Sequence, residues 1–210
     1  MMHLYYTHNY TGGNGGSHRL LVKAIAAHLG DADRAEHLVS TMQRAPLAGD
    51  TDIPGNNGKP YIPGFSPFSI SHSNNTWAVL ILDSDAAEDT CGLDIQYMRK
   101  TDAEGIAGRF YAPEDADRIV SIPDGNNRDR EFFRFWARRE ALVKSIGASV
   151  ADTQIPSVLS DEVCYNGRRY MINDIRIPGE TGLFAAICVN TNHFNQDRMA
   201  VQMHRLPEDQ

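Results

Sequence analysis

Residues 132–147 read FFRFWARREALVKSIG, and the reading of this stretch decides the second half of the fold. At 3.6 residues per turn, Phe132, Phe135, Trp136, Val143 and Ile146 fall on one side, the side a helix buries. Arg139 lies among those apolar positions. Glu140 sits at the edge of the stripe, one turn beyond Trp136, and Lys144 follows one turn later. Gly147 is a natural stop for the helix. Charges on the rim of a core-facing stripe are expensive to desolvate. One reading is an i,i+4 pair, Glu140 with Lys144, that closes the border of the core. The other is a set of functional side chains held rigid at the lip of a cleft. The stretch alone leaves both open.

Upstream, DAEGIAGRFY (102–111) and PEDADRIVSI (113–122) read as helical segments, with Pro113 suited to a first helical turn. Downstream, VCYNGRRYMI (163–172) reads as a hairpin around Asn166–Gly167, and NDIRI (173–177) with LFAAICVN (183–190) as another pair. The tail from Asn190 is polar. In the first half, Ser17 is the expected cap of a helix over HRLLVKAIAAHLG (18–30), after a glycine-rich turn at 11–16. A second helical stretch, ADRAEHLVSTMQRA (32–45), ends before Pro46. Residues 46–67 are rich in Pro, Gly, Asn and Asp and read as a long surface loop, a kind that is often functional. WAVLIL (77–82) and CGLDI (91–95) are expected to pair as strands. Helices followed by strands, twice, predict two α+β halves, 1–98 and 99–210.

Composition narrows the function classes. With 41% hydrophobic and 22% charged residues, the 210-residue chain is an ordinary globular one. Its net charge of −7 argues against nucleic acid as a partner. The three cysteines, Cys91, Cys164 and Cys188, have no metal-ligand spacing and read as free thiols in a reducing compartment. No basic-then-apolar leader and no run of membrane-spanning length is visible, so a soluble, cytoplasmic protein is expected.

Three islands could carry chemistry besides the helix. Asp94 ends an apolar strand in CGLDIQYM and is either a turn-forming residue or a metal ligand. In FSISHS (68–73), Ser69, Ser71 and Ser73 alternate with Ile70 and His72, which places His72 on the face opposite the serines. No G-x-S-x-G elbow surrounds them, and strand neighbours cannot form a nucleophile–base pair, so a serine hydrolase is disfavoured. Both residue types donate well to phosphate. Lys59 sits in a tight Gly–Lys–Pro turn.

In order along the chain, GKP at 58–60, FSISHS at 68–73, GLDIQ at 92–96, RFYAPED at 109–115 and WARREALVKSIG at 136–147 resemble the motifs of the Sfp-type 4′-phosphopantetheinyl transferases. The likeness runs over residues 58–147 and extends weakly to HRLLVKAI at 18–25. It implies an α+β fold of two pseudo-symmetric halves, each with helices packed on a small antiparallel sheet, and a cleft between them. It also implies transfer of 4′-phosphopantetheine from coenzyme A to a serine of an apo acyl or peptidyl carrier protein. Carried over, Asp94 and Glu140 hold Mg²⁺, while Glu140 and Lys144 are catalytic. Arg19, Lys59, Ser71 and His72 contact coenzyme A. Such chemistry suits a hard cation on carboxylates, with positioning and cations doing most of the catalysis.

Three features depart from the family pattern. Gln96 stands where many members have a second carboxylate, which implies a poorer metal ligand and weaker Mg²⁺ binding. The segment before His18 has no lysine or arginine. Arg139 replaces the usual lysine before the glutamate, keeping charge but not geometry. Arg130, Arg134 and Arg138 form an i,i+4 row that reads either as a solvated face or as a steering surface for an acidic carrier. The chain is expected to act as a monomer, with no membrane partner. The competing functions are a non-catalytic carrier-protein or coenzyme A binding module and a Mg²⁺-dependent phosphohydrolase.

Overall fold

A computed structural model of the chain describes residues 1–44, 58–86, 88–149, 151–152, 154–190 and 200–208. Most of the expected surface loop, at 46–57, and residues 191–199 of the polar tail lie outside the described residues. The helix that carries residues 132–147, here α5, spans Asn126–Ile146 and buries Phe132, Phe133, Phe135, Leu142 and Val143. It ends as expected: Gly147 adopts the left-handed conformation (φ 68°) and its N–H donates to the Val143 carbonyl. Two shorter helices brace it, α3 (Ala103–Phe110) and α4 (Pro113–Val120). The Asp102 carboxylate caps α3 by accepting from the Gly105 N–H at 3.0 Å. Between them, Tyr111 stacks on Phe132 with ring centroids 5.6 Å apart. Its hydroxyl donates to the Phe132 carbonyl at 2.9 Å. The aromatic pair in RFY therefore anchors the middle of α5, at Phe132 and Trp136.

Two arginines of the row on α5, Arg134 and Arg138, are engaged in structural contacts, and Arg130 is exposed. Arg138 is only 1% exposed. It donates to the carbonyls of Val158 and Ser160 and to Asp161, each at 2.8 Å. Arg134 pairs with Glu131 and Asp174, and the Arg130 guanidinium lies 5.6 Å from the Phe184 ring centroid. Arg138 is thus removed from any steering surface, because a guanidinium buried with its donors satisfied presents little charge to solvent.

Beneath α5 lies a four-stranded antiparallel sheet in the order β6 (Cys91–Tyr97), β9 (Leu183–Asn190), β8 (Arg168–Ile175), β7 (Glu162–Tyr165). The Asn166–Gly167 hairpin is present, with φ positive at both residues (48° and 75°), as a primed two-residue turn requires. The expected pairing of 91–95 with 77–82 is not made. Instead β6 pairs with β9, placing Asp94 opposite Ala186.

A second sheet has the order β10 (Val201–Arg205), β1 (Met2–Thr7), β5 (Thr76–Leu82), β4 (Phe68–Ser73). Neither β1 nor β10 was expected, and they pair in parallel. This sheet is therefore not purely antiparallel: β10 arrives by a long connection, which permits a parallel neighbour where a hairpin would not. Sheet membership also crosses residue 98 in both directions, since β6 lies in the later sheet and β10 in the earlier one. Helices α1 (Asn14–Leu29) and α2 (Ala32–Ser40) cover the outer face of this sheet. Ser17 is not the α1 cap. Its N–H already bonds the Gly13 carbonyl inside the first turn, and its hydroxyl accepts from the Trp77 indole N–H at 2.9 Å. Helix α2 stops before the expected end because Gln43–Arg44 (β2) pairs with Pro60–Tyr61 (β3).

The packing order is helices, sheet, sheet, helices. Tyr5, Trp77, Val79 and Ile81 meet Leu21 and Ile25 of α1. Leu4, Leu80 and Leu82 meet Leu93, Ile95 and Ile187 between the sheets. Ile172, Ala186 and Cys188 meet α5. All three cysteines are free, Cys91 and Cys188 buried and Cys164 exposed. Among the described residues, no helix is long and apolar enough to cross a membrane.

One contact sets how closely α5 approaches β6. A Cβ added at Gly92 would lie 1.9 Å from the Ala141 carbonyl oxygen and 2.8 Å from the Ser145 nitrogen. Only glycine fits against that turn of the helix. Gly92→Ala is expected to destabilise the fold by about 3 kcal/mol, the upper end of what overpacking costs. Chemical denaturation of the purified variant measures this, and a change below about 0.5 kcal/mol would mean the helix can shift freely.

Candidate functional site

Strands β4 and β6 are edge strands of different sheets, and they meet through side chains. The alternating serines of FSISHS accept hydrogen bonds from alternate backbone N–H groups of β6. Ser69 takes Leu93 at 3.0 Å, Ser71 takes Ile95 at 3.2 Å and Ser73 takes Tyr97 at 3.0 Å. Hydroxyls here replace carbonyls as the acceptors of an edge ladder, leaving no buried donor unpaired. The Ser71 hydroxyl in turn donates to Asp94 Oδ1 at 2.9 Å. His72 points to the opposite face, where its ring lies 5.0 Å from that of Tyr10.

Asp94 is 6% exposed. On β6 it shares with Gly92 the face turned toward α5, so the approach allowed by Gly92 delivers the helix to this carboxylate. Lys144 donates to Asp94 Oδ1 at 2.8 Å and to the Leu93 carbonyl at 2.9 Å. Asp94 Oδ2 is buried and has no hydrogen-bond partner. Burial raises the pKa of Asp94, opposed by Lys144 and Ser71. Glu140 is pushed up to about 7, first by burial and then by the negative charge of Asp94; Lys144 and Arg139 pull the other way. Lys59 donates to the Cys91 carbonyl at 2.6 Å, and burial lowers its pKa, as does Lys144 to a smaller extent. Lys59, Ser69, Glu140 and Lys144 line one cleft of about 240 Å³, closed by Ile70 and Val143.

Of the residues singled out in the sequence, Lys59, Glu140 and Lys144 line this cleft, and Asp94 and Ser71 adjoin it through the Lys144–Asp94–Ser71 hydrogen bonds. Gln96 lies two residues beyond Asp94 on the same face of β6 and is half-buried. His72 and Arg19 are exposed and do not line the cleft; Arg19 sits beside the glycine-rich start of α1. Arg139 turns away, donating to the Asp152 carbonyl at 2.6 Å. Asp115 of the RFYAPED segment is structural: its carboxylate accepts from Ser157 at 2.6 Å and from the Val158 N–H. The bracing of Asp94 by Ser71, and the role of the Cys91 carbonyl, lay in contacts between elements that no local pattern displays.

A buried carboxylate with an unsatisfied oxygen, beside a half-buried one whose pKa its charge raises, forms a donor set that a hard divalent cation would complete. Lys144 on Asp94 Oδ1 supplies part of that compensation and leaves Oδ2 available.

Residues 90–177 match the family model of the "4'-phosphopantetheinyl transferase superfamily". The chain is similar to "4'-phosphopantetheinyl transferase HetI" of Nostoc sp., with 35% identity over 85 residues, 40% of this chain and 34% of the relative. It is also similar to "4'-phosphopantetheinyl transferase AcpT" of Salmonella typhi and Salmonella typhimurium, with 33% identity over 119 residues, 52% of this chain and 59% of each relative. The chain thus spans about a third of the first relative's length and about three fifths of the others'. These matches support the family that the ordered motifs imply, and the segment matched by the family model contains Asp94, Glu140 and Lys144.

The raised pKa of Glu140 has a signed consequence for stability. A carboxyl group with a folded pKa above its unfolded value binds more protons when folded, so stability falls as pH rises between the two values. For Glu140 that window runs from 4.5 to about 7. Denaturation free energy should therefore drop across it, by up to about 3 kcal/mol. Glu140→Gln should flatten the drop and be more stable than the parent above neutral pH. Equal slopes in the two proteins would show that Glu140 titrates normally.

Proposed function

We propose that this chain, whose residues 90–177 carry the 4′-phosphopantetheinyl transferase pattern, transfers 4′-phosphopantetheine from coenzyme A to a serine hydroxyl of an apo acyl or peptidyl carrier protein. The observation that carries the proposal is buried Asp94 with its Oδ2 unsatisfied, next to half-buried Glu140, with Lys59 and Lys144 beside them. Asp94 and Glu140 would hold Mg²⁺, with Gln96 as a weak third donor; when bound, the ion neutralises the pyrophosphate and polarises its phosphoryl oxygens.

The chain's own groups have separable tasks. Glu140, with a pKa of about 7, is suited to take the proton of the attacking serine at neutral pH. The serine oxygen forms a bond to the β-phosphorus, the bond from that phosphorus to the 3′,5′-ADP oxygen breaks, and the leaving phosphate departs as an anion. Lys144, fixed on the Leu93 carbonyl and Asp94, offsets charge on the transferring phosphoryl group. Lys59, held by the Cys91 carbonyl, lies on the far wall, suited to the nucleotide side. Ser71 orients Asp94 from behind, and His72 and Arg19, exposed outside the cleft, would contact phosphates that extend beyond it. Both carboxylates come from one chain, so a monomer suffices, and nothing in the site calls for a membrane.

Intact-mass spectrometry of apo carrier proteins incubated with the protein, coenzyme A and Mg²⁺ tests the proposal. A gain of one phosphopantetheine is expected, abolished by EDTA. Glu140→Gln and Asp94→Asn should each slow transfer by about 100-fold or more while the fold persists. Transfer within about tenfold of the parent in either folded variant would remove the roles assigned here. Gln96→Glu should lower the Mg²⁺ concentration needed for half-maximal transfer; an unchanged requirement would remove position 96 from the metal's surroundings.

A further inference from the structure

A second cluster of ligating side chains lies away from the cleft. His3 on β1, His28 in the last turn of α1 and Asp83 just past β5 each offer one ligand atom, all within 4.8 Å of one another. His3 Nε2 is 3.1 Å from Asp83 Oδ2, and His28 Nε2 is 3.3 Å from Asp83 Oδ1. The strand register separates this cluster from the coenzyme A end of the sheet. His3 stands opposite Ile81 and Ile81 opposite Phe68, whereas His72 stands opposite Trp77 and Trp77 opposite Thr7. Four strand residues amount to about 13 Å.

The remaining imidazole nitrogens are already engaged. His3 Nδ1 lies 3.2 Å from His204 Nε2 on β10, and His28 Nδ1 lies 3.3 Å from the Tyr5 hydroxyl. Ligating histidines are characteristically oriented in this way, the nitrogen away from the metal donating to a second group. His3 and His28 side chains are 16% and 13% exposed, and that of Asp83 is 41% exposed, so the cluster is mostly enclosed with one open approach. The Met1 amino group, 3.8 Å from Asp83 Oδ2, is the nearest competing cation.

We propose that His3, His28 and Asp83 form a binding site for a borderline divalent transition-metal ion of the Zn²⁺ class, with His204 and Tyr5 orienting the two imidazoles. Two imidazoles and one carboxylate favour such an ion over Mg²⁺, and a water completes four-coordination. The site joins β1, α1 and the end of β5, so its effect is to fasten the outer helix to the sheet.

Titration of the EDTA-stripped full chain with Co²⁺, followed by its visible spectrum, and with Zn²⁺ in competition with a chromophoric chelator tests the site. One equivalent should bind with a tetrahedral Co²⁺ spectrum, and Zn²⁺ should raise the melting temperature. The Asp94→Asn, Glu140→Gln double variant should retain this binding, which separates it from the transferase cleft. His28→Ala and Asp83→Asn should each weaken binding by about 100-fold, and His204→Gln by about tenfold. Asp83 is exposed enough that its variant tests the ligand without disturbing the core. Absence of stoichiometric binding to the stripped parent would overturn the proposal. So would binding that survives Asp83→Asn and His28→Ala but is lost with the cleft carboxylates.

Discussion

The close approach of α5 to β6 at Gly92 is the constraint on which the candidate site depends. A strand and a helix normally keep a side chain's thickness between them. Here the helix backbone at Ala141 and Ser145 rests on a strand residue with no side chain. Glu140 and Lys144 flank that turn, and Asp94 lies two residues along the strand. A bulkier residue at 92 would lift both charged groups off the aspartate together. One glycine therefore sets the distance between Asp94 and two ionisable groups about 50 positions further along the chain.

The same neighbourhood shows a chemical compromise. Burying two carboxylates is costly, and the protein offsets only part of it, with Lys144 and Ser71 on one oxygen of Asp94. The other oxygen and the Glu140 carboxyl are left under-compensated. A purely structural ion pair would not need that arrangement. Sites that bind cations or move protons hold such unmet demand until a ligand arrives. The serine ladder from β4 supports the aspartate without adding charge.

Much of this was legible in the letters, for identifiable reasons. The α5 period, its Gly147 stop, the Asn166–Gly167 hairpin and the β8–β9 pair are local patterns, and local patterns survive folding. The ordered motifs marked Asp94, Glu140 and Lys144, and the structure brings these three side by side. What could not be read was partnership at a distance. Residues 91–97 carry a plain strand pattern, yet nothing in it says that the partner is 183–190 rather than 77–82. The strands at 2–7 and 201–205 are short, and the second is polar, so only their pairing identifies them. The arginines at 134 and 138 look like a solvated row until the segment 158–161 and Asp174 are placed against them. The alternating serines showed their face but not their task, because the donors they serve belong to another sheet.

The parallel pairing of β1 with β10 has a consequence for how the molecule is made. Met2 aligns with Val201 and Tyr6 with Arg205, so β1 waits for a partner strand synthesised much later. At roughly 5–20 residues per second, that wait is on the order of ten seconds or more. During it the β1 edge carries unpaired backbone groups next to a bare apolar face, while helix α5 and its antiparallel sheet can close through shorter loops. During synthesis the β1 edge is therefore a point of exposure to misassociation, and the arrival of β10 is what closes it.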